Sequence, residues 1–111
     1  MYVISFYVPE EELEKVKNEM FQAGAGKIGY YQQACWQTRG EGQYMPLEGA
    51  SPAYGTKNKL YTLKEYKVEM VCDEKYIVGV IKAFKKSHPY EEPGYYIFKN
   101  EEIPPKNGKY E

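Results

Sequence analysis

The sequence predicts an α+β sandwich of βαββαβ order, an antiparallel sheet with both helices on one face. Three observations predict it. Two amphipathic helical patterns each follow a β-rich run, a cleanly alternating run sits between them, and a short aromatic run closes the series. At 111 residues the chain fits one domain and has no room for a second.

Residues 2 to 8, YVISFYV, form a β-branched and aromatic run that ends at Pro9. Apolar residues at successive positions place it centrally, covered on both faces. A helix follows in EEELEKVKNEMFQAG, where Leu13, Val16, Met20 and Phe21 recur at helical spacing. Acids crowd its first turn, where the helix dipole favours them, Pro9 suits its start, and Gly24 and Gly26 offer a stop.

Residues 27 to 38, KIGYYQQACWQT, read as a second strand with alternation too irregular to fix its inward face. Residues 39 to 59 carry Gly40, Gly42, Gly49 and Gly55 with Pro46 and Pro52, and read as a long turn-rich loop with a short strand at Gly42 to Met45. Loops of this length in small domains are commonly functional.

In residues 64 to 72, KEYKVEMVC, Tyr66, Val68, Met70 and Cys72 fall on one face and Glu65, Lys67 and Glu69 on the other. That is a strand with one solvated face. Asp73 then caps a second helix, DEKYIVGVIKAFKKS, with an apolar stripe of Tyr76, Ile77, Val80, Ile81 and Phe84 and with Lys85 and Lys86 at its carboxyl end. After SHPYEEPG, residues 95 to 98 supply the last strand. The domain is thus placed at 1–98, and 99–111 is a polar, Pro-containing tail expected to be loosely held. Both helices on one face make this a ferredoxin-like sandwich whose other sheet face is bare, which favours oligomerisation.

Composition limits the function. Fifteen basic against sixteen acidic residues leave a net charge of −1, and Arg39 is the only Arg, so nucleic acid is a poor partner. No 18-residue apolar stretch or secretory leader is present, which sets the expectation of a cytoplasmic protein with no membrane partner. Cys35 and Cys72 are isolated and are expected to be buried as small apolar residues. Thirteen Tyr, four Phe and Trp36 suggest half-buried contact surfaces, or simply strand positions that suit Tyr.

AGAGKIGYY, GEGQYMPLEGASPAYG, KEYKVEM and SHPYEEPGY, in this order across nearly residues 2 to 98, resemble the CutA- and PII-like module inserted in Nif-three-like proteins and its free-standing relatives. The HPYE element also looks like the corresponding segment of CutA proteins. The resemblance implies the CutA/PII-like ferredoxin-like fold and a homotrimer. It implies no di-metal site, because the Nif-three-like proteins hold their metals with flanking core domains. The loop from Gly40 to Thr56 does not reproduce the nucleotide-holding residues of PII regulators.

The one His, His88, stands beside Pro89, Tyr90, Glu91, Glu92 and Pro93. An imidazole with the carboxylates of Glu91 and Glu92 suits Zn²⁺ or Cu²⁺, and three symmetry-related copies would supply a His₃ set. The alternative is that His88 bonds the helix end while the prolines shape a turn. Ser5, Ser51, Ser87, Cys35 and Cys72 form no triad pattern with His88, and Glu41 and Glu48 suit a solvated loop better than acid–base work.

The reading is therefore a non-enzymatic regulatory or interaction module without an assured cofactor, working as a homotrimer with a small molecule or another protein. A divalent-metal-binding protein is second and a hydrolase third. Tyr44, Glu48, Tyr54 and Tyr90 would line a ligand site or an adjacent subunit, with Trp36 and Arg39 at the entrance to stack on or pair with an anionic group.

Overall fold

The computed structural model describes residues 1–103. Its elements are β1 (Tyr2–Pro9), a 3₁₀ turn (Glu10–Glu12), α1 (Leu13–Ala23), β2 (Trp36–Tyr44), β3 (Tyr61–Cys72), α2 (Ile77–Ser87) and β4 (Tyr95–Lys99). The strands form one sheet in the order β2-β3-β1-β4, with every neighbouring pair antiparallel. This is the βαββαβ arrangement of the ferredoxin-like class.

Alternation along the strands decides the two faces. Ile4, Phe6 and Val8 pair with Met70, Val68 and Tyr66 and point toward the helices. With Leu13, Val16 and Met20 of α1 and Val80 and Phe84 of α2 they form the core. Phe6 and Phe84 meet at 5.0 Å between ring centroids, and Tyr95 of β4 closes on Phe84 at 5.3 Å. Helix α1 ends in a Schellman motif: Ala25 N–H donates to Met20 O and Gly24 N–H to Phe21 O, with Gly24 at φ 122°. The second helix starts later than its sequence suggests. Asp73 Oδ1 accepts from Lys75 N–H and Asp73 O from Tyr76 N–H, so Asp73 organises the turn that leads into α2.

The opposite face is uncovered within the chain. Val3 lies between Val71 and Phe98, and Ser5 between Glu69 and Tyr96, with Trp36 beyond Glu69. Trp36, Tyr96 and Phe98 remain 69%, 58% and 57% exposed.

Three further expectations change. The strand over 27–38 begins only at Trp36, because Gly26, Gly29 and Gln33 adopt positive φ and Ile28 and Tyr31 close a tight turn through reciprocal backbone bonds. The loop over 39–59 shortens to 45–60, because 39–44 are held as strand by the register Arg39↔Tyr66 through Tyr44↔Tyr61. Pairing with a good strand overrides the weak propensity of Gly40 and Gly42. Cys72 is buried as expected, but Cys35 is exposed, since it precedes β2 instead of lying inside it. The tail from residue 104 lies outside the described residues. Among the described residues no helix is long and apolar enough to cross a membrane.

Candidate functional site

The β2–β3 hairpin carries Tyr44 and Tyr61 as a cross-strand pair at its outer end, with rings edge to face at 5.7 Å. The connecting loop folds back on this end. Asn58 N–H donates to Pro46 O at 2.6 Å, Tyr44 Oη–H donates to Tyr54 O at 2.7 Å, and Gly49 and Gly55 take positive φ at its bends. Tyr54 is thereby laid against Tyr61 at 6.5 Å and Tyr90 at 6.0 Å, and Tyr90 stacks on Tyr44 at 5.7 Å.

Tyr90 arrives from the segment that follows α2, and His88 positions it. His88 is 6% exposed, ends α2 with a bond from its N–H to Phe84 O, and uses both ring nitrogens. Nδ1 accepts from Tyr90 N–H at 3.1 Å, so the proton is assigned to Nε2, which donates to Tyr7 O at 2.7 Å. Burial lowers the His88 pKa below its usual value, opposed by the Tyr7 carbonyl and by Glu12.

Tyr90 Oη–H donates to Glu65 Oε2 at 2.6 Å. Burial pushes the Tyr90 phenol up strongly, and the Glu65 carboxylate adds to the shift. The Tyr44 phenol is also raised, by burial first and then by Tyr61 and Glu65. Glu65 reaches Tyr90 by crossing Gly42, where a Cβ would overlap its carboxylate.

Between the loop and Tyr90–Glu92 lies a cleft of about 580 Å³, in the usual range for small-molecule sites. Its lining includes Tyr44, Glu48, Tyr90, Glu91 and Glu92. Glu91 Oε1 accepts from Ser51 N–H at 2.9 Å, which joins the two walls, and Glu48 Oε1 accepts from the Asn58 amide at 3.0 Å.

Tyr44, Glu48, Tyr54 and Tyr90 thus come together. Trp36 and Arg39 do not join them, because the extension of β2 puts Trp36 eight residues, roughly 26 Å, from Tyr44. Trp36 donates from Nε1 to Thr38 Oγ1, and Arg39 pairs with Glu10 at 3.5 Å. Within one chain His88, Glu91 and Glu92 do not form a ligand set: no group of three or more His, Cys, Asp or Glu suited to a metal occurs among the described residues. Ser87 Oγ donates back into α2, to Ala83 O at 2.7 Å. Glu65 and Tyr61 were not among the residues singled out from sequence. Glu65 reads there as one more polar residue on a solvated face, and only its position across from the glycines of β2 hints that it can lie down over the sheet.

No family model matches the chain. By sequence it is 41% identical over 92 residues to the GTP cyclohydrolase 1 type 2 homolog of Mycobacterium tuberculosis, a match covering 83% of this chain and 24% of that protein. The Bacillus subtilis protein of the same name is 38% identical over 105 residues, covering 95% of this chain and 28% of the relative. The chain therefore spans about a quarter of the length of these relatives. By structure it matches a Bacillus cereus protein related to NIF3 with TM-score 0.74 and 30% identity, over 87% of this chain and 24% of that one. CutA from Pyrococcus horikoshii matches with TM-score 0.63 and 18% identity, over 93% and 87% of the two chains, a likeness of fold. The expected resemblance holds at both levels: in sequence the chain is similar to part of these GTP cyclohydrolase 1 type 2 homologs, and in structure to part of the NIF3-related protein and to the CutA fold.

Proposed function

We propose that this domain is a non-enzymatic interaction module that self-associates as a homotrimer and holds a small ligand in the cleft beside Tyr44 and Tyr90. The uncovered sheet face carries the reading. Val3, Val71 and Phe98 lie side by side across three strands, with Trp36 and Tyr96 one row away. Tyr96 and Phe98 stack at 6.4 Å, so the patch is continuous along β4. Apolar area of this kind on one side of a small sheet is stabilised by burial against another surface. A second copy presents the same patch, and the trimer is the assembly implied by the CutA/PII-like resemblance.

The non-catalytic part rests on the engagement of the reactive groups. Both His88 nitrogens serve the fold and Ser87 is bonded into its own helix, so neither is poised as base or nucleophile. Metal binding through His88 would require it to release one of its two ring contacts, to Tyr7 O or from Tyr90 N–H. Sedimentation equilibrium at micromolar concentration tests the self-association, and a mass of one chain would refute it.

A further inference from the structure

We propose that the cleft between the 45–53 loop and Tyr90–Glu92 takes a small organic cation, an amine or quaternary ammonium with an apolar body, and not a nucleotide or other anion. The inference rests on the preceding reading of the cleft as a ligand site and adds the class of ligand.

The lining decides the sign of charge. It holds no Lys, Arg or His, while Glu48, Glu91 and Glu92 all border it. The one Arg is held elsewhere by Glu10. The tyrosine hydroxyls are also spent away from a ligand: Tyr44 Oη–H donates to Tyr54 O and Tyr90 Oη–H to Glu65. An anion would therefore meet three carboxylates and no side-chain donor from these tyrosines. A cation would meet carboxylate oxygens, with the aromatic side chains of Tyr44 and Tyr90 in the same lining.

The carboxylates alone would be an ordinary solvated rim. The apolar floor from Met45, Pro46, Leu47 and Pro52, together with the ring pair, gives the cleft its capacity for an apolar body. The site is also braced. Glu91 is tied to the opposite wall at Ser51 N–H, and Tyr90 is fixed from behind by His88 and Glu65. Little ordering remains to oppose binding.

Titration of the full chain with benzyltrimethylammonium, benzyl alcohol and ATP, followed by the methyl resonance of Met45 in NMR, tests this. Met70 in the core serves as the control for folding. The ammonium is expected to shift Met45 saturably, to bind roughly 5-fold or more tighter than the neutral alcohol, and to weaken by a similar factor in Glu91→Gln/Glu92→Gln. ATP is expected to leave Met45 unmoved. If ATP or the alcohol binds as well as the ammonium, the cationic class is wrong while the cleft remains a ligand site. If none of the three moves Met45 at millimolar concentration, both readings fall.

Discussion

Tyr90 and Glu65, 25 residues apart, share a hydrogen bond of 2.6 Å that fastens the segment after α2 to the β2–β3 hairpin. The bond exists because Gly42 has no side chain: the Glu65 carboxylate occupies the space that a Cβ there would fill. An apparently featureless glycine in an exposed strand thus fixes one wall of the cleft.

Gly42→Ala is expected to displace Glu65 and lower stability by about 1–3 kcal/mol, the cost of breaking a charge-assisted bond and leaving a half-buried phenol without its acceptor. The same substitution in a Tyr90→Phe background is expected to cost less, since the bond is already gone. Denaturant melts of the two single variants and the double variant measure the coupling. Strict additivity would show that Gly42 matters only as backbone.

The His88 interaction predicts a pH dependence of known sign. Its pKa is lowered in the fold, so its contribution is fully present above the unfolded value near 6.5 and is lost as pH falls through the folded value. The melting temperature is expected to drop between pH 7.5 and 5.5. A His88→Gln protein should be less stable at pH 7.5, by about 1–3 kcal/mol, and show a flatter profile over the same interval.

Two glycines separate backbone need from mere presence. Gly24, at φ 122°, would bring a Cβ to 2.6 Å from the Tyr76 ring, so Gly24→Ala is expected to cost more than about 1 kcal/mol. Gly79 lies inside α2 with nothing within 4 Å of the added carbon, and Gly79→Ala is expected to stabilise by about 0.5–1 kcal/mol. Thermal unfolding of the pair checks opposite signs.

Most of the architecture was legible because it is written in periodicity. The helical stripes of Val16 and Met20 and of Val80 and Phe84, and the alternation of Val68, Met70 and Cys72, each state their own inward face. Strand β2 was misplaced because its own residues say little; its register comes from β3. The cleft was half legible for the same reason. Tyr44, Tyr54 and Tyr90 were visible as aromatics near turns. Glu65 was hidden by alternation that marks it as solvated, and the separation of Trp36 and Arg39 from the tyrosines followed only once β2 was known to run through Tyr44.

If the uncovered sheet face is an association surface, sedimentation equilibrium of the wild-type chain beside Phe98→Asp will separate an assembled from a single-chain species. Phe98 is 57% exposed and sits beside Val3 in the apolar patch, so the substitution leaves the helix-side core untouched. The account predicts a wild-type mass of three chains at micromolar concentration, and a Phe98→Asp protein that sediments as one folded chain. A monomeric wild type, or a trimer indifferent to Phe98→Asp and to a second charge at Val71→Asp, would contradict it.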